Sequence, residues 1–218
     1  RKPKLVHTYD GDYEADTVIL ATGASPRTLG LPEEQRLQNR GVAYCATCDG
    51  MMYKGKTVIV VGGGDTAVTD ALFLAKICAH VYLVHRRDTL RASKSYLKTI
   101  GNTANLTFIP DSKIAAILHE KRVTGVKIEN IKTGGMTELN CDGVFIAIGR
   151  IPNAELAHGQ LDLDENGYII ADETTRTSVP GVFAVGDVRT KPLRQIVTAA
   201  SDGAVASRFV EEYLLENK

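Results

Sequence analysis

Two stretches of this 218-residue chain carry one pattern. Asp16-Thr-Val18-Ile-Leu-Ala21-Thr22-Gly23-Ala-Ser-Pro26 and Asp142-Gly-Val144-Phe-Ile-Ala147-Ile148-Gly149-Arg-Ile-Pro152 match at Asp, Val, Ala, Gly and Pro with a constant offset of 126. A short apolar run that ends in a glycine break reads as a buried strand. An internal repeat reports architecture before any other feature does. Here it implies two related dinucleotide-binding units in one chain; the competing reading is chance similarity between two buried strands. The second unit has its glycine loop at Gly62, and the matching position in the first unit falls before residue 1. The expectation is a first unit that lacks its opening strand, glycine loop and crossover. The simplest arrangement is nested. Residues 1–40 and 153–218 form the incomplete unit, and residues 41–152 form a second unit inserted into it. The fold class is then α/β, with two nested Rossmann-like units.

The second unit is the more legible. Thr57-Val-Ile-Val-Val61 is rich in β-branched residues and predicts a strand. From Thr66 the pattern turns helical, with Val68, Ala71, Leu72 and Ala75 on one face. Val81–Val84 is the next strand, which makes a unit of the right length for a parallel βαβ crossover. Between strand and helix, Gly62, Gly64 and Ala67 form G-x-G-x-x-A, with Gly63, Asp65 and Thr66 filling the loop. Gly62 suits a tight turn, Gly64 a close approach of backbone to a pyrophosphate, and Ala67 close packing of helix on strand. The alternative is a glycine-rich turn with no ligand. The second strand runs into His85-Arg86-Arg87, with Arg91 four residues on. An acidic residue there would hold a ribose 2′-hydroxyl, whereas guanidinium groups match a 2′-phosphate. The pattern points to NADPH rather than NADH, against the alternative of a solvated basic loop. His85 also reads as an ordinary strand-end residue.

Further along, Ser93–Ile100 predicts a helix, and Leu106–Glu138 predicts hairpin strands broken at Gly125 and Gly134-Gly135. Gly167–Ile170 and Gly181–Val185 predict short strands, the latter running into Gly186-Asp187. Ile196–Leu215 predicts a helix with Ile196, Ala199, Ala200, Val205, Phe209 and Tyr213 on its apolar side.

Thirteen residues before Val61 stands Cys48, in Tyr44-Cys45-Ala-Thr-Cys48-Asp49-Gly50. A redox dithiol, half of a zinc site and two unreactive thiols are the three readings. A zinc site needs a second close pair, and the sequence has none. A thiolate released by reduction needs a proton, and Asp49 can supply one, although an aspartate before glycine is also an ordinary turn residue. A dithiol beside a nicotinamide site implies electron transfer between them, and a flavin commonly bridges such steps. The incomplete first unit is the natural place for FAD. Cys78 and Cys141 lie in apolar segments and read as core residues.

Lys+Arg and Asp+Glu both total 26, so charge offers no argument for nucleic acid or a membrane surface. No run is long enough to span a bilayer. Four unevenly spaced cysteines do not make a secreted disulfide framework, so the expectation is a cytoplasmic protein with a catalytic rather than structural disulfide, and no metal site.

These segments together resemble the low-molecular-weight thioredoxin reductases, from about residue 5 to the end. The carrying residues are Gly41–Gly50, Val61–Ala67, His85–Asp88 with Arg91-Ala92, Ala184–Val188 and Arg194-Gln195. The resemblance implies NADPH-dependent reduction of thioredoxin through FAD. Cys48 would face the flavin, Cys45 would attack the thioredoxin disulfide, and Asp49 would be the acid–base group. Arg86, Arg87 and Arg91 would grip the 2′-phosphate, with Ile148 and Gly149 close to the same nucleotide. Thr22, Gly23, Gly186, Asp187, Val188, Arg194, Gln195 and Ile196 would contact FAD. The resemblance also implies a homodimer that swings its NADPH domain about connections near Gly41 and Gly149–Pro152. The alternatives are an NADPH-binding fragment without turnover and a related flavoprotein disulfide reductase with another substrate.

Overall fold

The structure is a computed structural model and describes residues 3–217. In chain order its strands are β1 (Lys4–Thr8), β2 (Gly11–Ala15), β3 (Val18–Leu20), β4 (Ala24–Pro26), β5 (Val42–Ala43), β6 (Thr57–Val61), β7 (His80–Val84), β8 (Leu106–Ile109), β9 (Ser112–His119), β10 (Val123–Asn130), β11 (Met136–Asn140), β12 (Gly143–Ile146), β13 (Arg150–Pro152) and β14 (Val182–Ala184). Its α-helices are α1 (Ala46–Asp49), α2 (Asp65–Ala75), α3 (Lys94–Gly101) and α4 (Ile196–Glu216). Two compact units emerge. One is Pro26–Gly149; the other joins the residues up to Ser25 with those from Arg150 onward.

The continuous unit is built on a five-stranded sheet in the order β5-β12-β6-β7-β8. Every pairing in it is parallel. A parallel sheet covered on both faces needs apolar residues at successive positions, and Thr57–Val61 supplies them. Strand alternation sends Val58 and Val60 toward α2 and Ile59 and Val61 toward the other face. Val58, Ile59 and Val60 are fully buried. Each such side chain contributes roughly 1.5–3 kcal/mol by leaving water. The second face is covered by an antiparallel sheet in the order β11-β10-β9. The predicted hairpin region therefore divides: β8 joins the parallel sheet, and only β9–β11 are antiparallel.

Residues 26–40, expected in the other unit, pack in this one. Leu37 is buried in the core against the antiparallel sheet. The buried Glu34 carboxylate accepts from the backbone N–H groups of Leu29, Gly30 and Leu31 and, at 2.6 Å, from the Tyr44 hydroxyl. A carboxylate with that many donors is anchored where they converge, which moves the boundary to Ser25.

The discontinuous unit holds the antiparallel hairpin β1–β2, the parallel pair β3–β14 and the long helix α4. The hairpin had no sequence signature because most of its positions on both faces are exposed, leaving no alternation to read. The predicted strand at Gly167–Ile170 does not form as a ladder. Ile169 makes isolated bridges to Leu163 and Arg189, because its neighbours send their backbone bonds to different partners. In α4 the predicted apolar side holds at Ala199, Val205, Phe209 and Tyr213, which are partly buried beside the buried Asp202 and Ala206; Ala200 is exposed, and Ile196, at the helix start, is 90% exposed.

The repeat is visible in the backbone. Gly23 and Gly149 both take positive φ, at 73° and 103°. Asn153 N–H donates to Gly23 O and Arg27 N–H donates to Gly149 O, two bonds related by the same offset, each inside one unit.

Candidate functional site

Cys45 and Cys48 are joined by a disulfide. Cys45 sits in extended backbone as the cap of α1, where its sulfur accepts from the Cys48 N–H at 3.2 Å. The three-residue spacing works because one turn of helix brings the second cysteine back over the first. Cys45 is half-buried and Cys48 exposed. Ala46 between them is fully buried, and a side chain at Gly50 would meet Leu74 and Phe73 of α2 at 3.0 Å. The dithiol turn is thus seated directly on the helix that follows the glycine loop. Burial raises the Asp49 carboxyl above its ordinary range. A carboxyl that holds its proton more readily can deliver one to a departing thiolate. Tyr44, immediately before the dithiol, is fixed by Glu34; burial, the Glu34 hydrogen bond and the Glu34 charge all raise its hydroxyl.

The three glycines of the loop meet three different surroundings. Gly62 has φ 152°, and a Cβ there would lie 2.3 Å from Ala147 O and 2.6 Å from the Ala67 Cβ. Ala67 itself is fully buried, so strand and helix are as close as two residues without longer side chains permit. Gly64 caps α2, and a Cβ on it would meet nothing within 4 Å. The open face of Gly64 therefore lies at the helix N-terminus, where phosphate is favoured. Gly63 has a different reason. A Cβ there would collide with the His85 ring at 2.4 Å, so His85 is the floor of the loop. Burial first, then Arg91, Arg87 and Arg86, lower the pKa of His85, which keeps the ring neutral.

Arg86, Arg87 and Arg91 are exposed, and none has a carboxylate within ion-pair distance among the described residues. Their loop is tied to the glycine loop by two bonds. Arg91 N–H donates to Gly63 O at 2.7 Å, and Ser93 N–H donates to the Asp65 carboxylate at 3.0 Å. Thr66 is exposed on the first turn of α2. Ile148 packs against the core below the sheet end, and Gly149 is exposed there. An open glycine backbone and free guanidinium groups on one laced pair of loops suit NADPH.

The remaining predicted residues gather in the discontinuous unit. Gly186, Asp187 and Val188 form a 3-10 turn after β14. Arg194 donates to the carbonyls of Asp187 and Arg189 and stacks 3.8 Å from the Tyr168 ring. Gln195 caps α4, receiving its first-turn support from Thr198, and Ile196 stands exposed at the helix start. Thr22 and Gly23 face Asn153, with Thr22 donating to its carbonyl. One atom here is an orphan: Asp187 Oδ1 is buried with no partner among the described residues. A buried acceptor without a donor fits a missing ligand hydroxyl, as the ribityl chain of FAD would provide.

Sequence reading missed what holds this turn. Asp202 of α4 is buried and accepts from Gly186 N–H at 2.8 Å, Arg189 Nε at 2.9 Å, Arg189 Nη2 at 2.9 Å and Lys191 Nζ at 2.7 Å. These bonds outweigh burial and hold its carboxyl down at about 2. The signal available was a charged residue four positions before Ala206 on the inward stripe of α4. Cys78 and Cys141 are buried free thiols, pushed up by burial to about 11 and about 12. Among the described residues there is no cluster suited to a metal ion and no helix long and apolar enough to cross a membrane.

Residues 1–203 match the sequence family described as pyridine nucleotide-disulphide oxidoreductase. The chain is 45% identical to the thioredoxin reductase of Peptoclostridium acidaminophilum, over 99% of this chain and 70% of that one. It is 45% identical to the thioredoxin reductase of Streptomyces coelicolor, over 93% of this chain and 63% of that one. Among solved structures, thioredoxin reductase from Streptococcus pyogenes superposes with a TM-score of 0.92 at 45% identity, covering 99% of this chain and 71% of that one. The enzyme from Giardia duodenalis gives 0.90 at 41% identity, covering 99% and 72%. Across the two sequence relatives, this chain spans 63–70% of the partner's length.

Proposed function

The chain belongs to the pyridine nucleotide-disulphide oxidoreductases, within them to the thioredoxin reductases, and from that premise we propose that it takes part in NADPH-dependent reduction of the thioredoxin disulfide. The observation that carries this reading is the Cys45–Cys48 disulfide seated on the helix of a glycine loop whose neighbouring strand ends in exposed arginines that form no ion pair among the described residues. Members of the family use NADPH and FAD; when bound, NADPH supplies a hydride and FAD passes the electron pair to a disulfide.

The chain's own residues have separable roles in this reading. The open backbone at Gly64 and the N-terminus of α2 hold pyrophosphate, while Arg86, Arg87 and Arg91 hold the 2′-phosphate. Gly186, Asp187 and Val188, with Thr22, Gly23 and the Arg194–Ile196 segment, would hold FAD, and the buried Asp187 Oδ1 would be the acceptor available to one of its hydroxyls. On reduction the Cys45–Cys48 bond takes two electrons and breaks. Asp49 donates a proton to one sulfur and is reprotonated from solvent. The Cys45 thiolate then attacks the thioredoxin disulfide and releases one of its sulfurs as a thiolate. Cys48 passes its proton to the released thioredoxin thiolate and, as a thiolate, attacks Cys45 in the mixed disulfide, restoring the Cys45–Cys48 bond and freeing thioredoxin, whose second sulfur takes a proton from solvent. We assign the NADPH role to the continuous unit and the FAD role to the discontinuous one, in a homodimeric cytoplasmic protein.

The test is NADPH-driven reduction of thioredoxin by this chain, with and without added FAD, beside a Cys48→Ser variant. Turnover that Cys48→Ser abolishes while NADPH binding is retained supports the reading. Turnover that survives Cys48→Ser removes the dithiol from the mechanism.

A further inference from the structure

The basic loop that follows β7 is fastened at its far end as well as to the glycine loop. Asp111, in the left-handed region at φ 49°, donates its N–H to Arg87 O at 3.2 Å. Asp111 O in turn accepts from Ile131 N–H at 2.7 Å, which brings the turn between β10 and β11 against the arginine loop. From that turn Lys132 Nζ reaches Asp111 Oδ2 at 2.9 Å and Asp88 Oδ2 at 3.7 Å.

The placement matters because Asp88 follows Arg87 directly and the Asp111 N–H donates to Arg87 O, so two carboxylates are carried on backbone adjoining the arginines that would hold a 2′-phosphate. Like charges carried that way repel through solvent, and salt and neighbouring cations weaken the effect. Three arginines against two aspartates leave a net charge of one for a dianionic ligand. Lys132 bridges both aspartates and doubles that net charge. The amine of Lys132 is in turn held charged, its pKa raised by the Asp111 hydrogen bond.

We propose that Lys132 is a positioning residue for nucleotide choice: by bridging Asp88 and Asp111 it keeps both carboxylates from opposing a 2′-phosphate on Arg86, Arg87 and Arg91. This rests on the NADPH reading above and names a contributor that touches no nucleotide itself. A merely structural lysine would affect NADPH and NADH alike, since both share everything but the phosphate. Lys132 should affect NADPH alone.

The experiment is calorimetric titration of the full chain with NADPH and NADH, at low and high salt. The variants are Lys132→Glu, Lys132→Arg, Lys132→Glu with Asp88→Asn, and Arg86→Ala with Arg87→Ala. At low salt Lys132→Glu should weaken NADPH about 5-fold more than NADH, and high salt should shrink the difference. Lys132→Arg should keep the parent's selectivity, and adding Asp88→Asn to Lys132→Glu should recover about half of the loss. Equal weakening of both nucleotides, or no weakening, while the double arginine variant loses NADPH selectively, overturns the proposal and leaves the 2′-phosphate site standing. If the double arginine variant also loses both equally, the site reading falls and the proposal falls with it.

Discussion

The two copies of the repeat have nearly the same strand and opposite surroundings. β12 lies between β5 and β6, and all four of its residues are buried. Among the described residues β3 pairs with β14 alone, and its central Ile19 is 45% exposed. The local pattern is enough to specify a strand and a left-handed glycine after it. Burial is decided by neighbours, which the pattern does not contain. The turns that serve each unit differ more. After β6, Gly62, Gly63 and Gly64 are fitted by shape against Ala147, His85 and open space. After β14, Gly186 is held by a buried carboxylate and two cations. One turn is built from packing and the other from charge.

The sharpest way to break that contrast is Asp202→Ala. Arg189 and Lys191 have side chains only 7% and 6% exposed, and removing Asp202 leaves both charges buried and unpaired. Breaking a buried pair in this way costs about 3–5 kcal/mol. Hydrogen exchange should show the amides of α4 and β14 losing protection while those of α2 and β6 keep theirs. Equal loss in both units would mean that the charged turn does not stabilise its own unit locally.

The matching lesion in the packed turn is Gly62→Ala. Its new methyl group would press on a backbone carbonyl and on Ala67, in a backbone conformation that side chains resist. The expected cost is about 2–3 kcal/mol, the upper part of the range for overpacking. Denaturation followed at the continuous unit should report it, with no change in α4. A variant as stable as the parent would show that Gly62 is not tightly enclosed.

How much of this was legible follows the same division. The parallel βαβ unit, its glycine loop and its arginines could be read because each is a local pattern with one physical cause. Gly64 at a helix start and the run Thr57–Val61 are examples. The dithiol was legible as a pair, but Gly50 resting on α2 was not, since that contact joins residues more than twenty positions apart. Asp202 was hidden because a charge on the inward stripe of a helix is explained only by cations brought from another segment. Residues 26–40 read from sequence as part of the other unit for the same reason, because Glu34 finds Tyr44 and three amides only in the folded chain.

The pH response separates the two turns with a smaller effect. Asp202 is held at about 2 in the folded chain, against an ordinary 3.8, so the folded state binds its proton less tightly than the unfolded state. Its contribution is therefore present above the unfolded value and is lost as pH falls from about 4 toward 2. The amount is about 2 kcal/mol. The packed turn responds at higher pH, because burial and the neighbouring arginines hold the His85 ring below its ordinary 6.5, so the unfolded chain binds that proton more readily than the folded one. The continuous unit should lose stability as pH falls below 6.5 and the discontinuous unit only below 3.8, and Asp202→Asn should remove the lower limb. A lower limb that survives the substitution would assign the acid sensitivity elsewhere.

Gly64→Ala is the mildest lesion and isolates function from stability within the packed turn. The added methyl group enters open space at a φ of −94°, which any residue accepts, so the folding cost is only that of alanine in place of glycine at an N-cap, about 0.5–1 kcal/mol. That open space is where the proposed pyrophosphate meets the helix N-terminus. The same methyl group that costs folding so little should weaken NADPH and NADH together, because both carry the pyrophosphate. Lysine and arginine variants should instead act only through the phosphate that distinguishes the two nucleotides. A Gly64→Ala chain that binds both nucleotides as well as the parent would show that the backbone there does not approach the ligand, even though a strand, a glycine turn and a helix surround it.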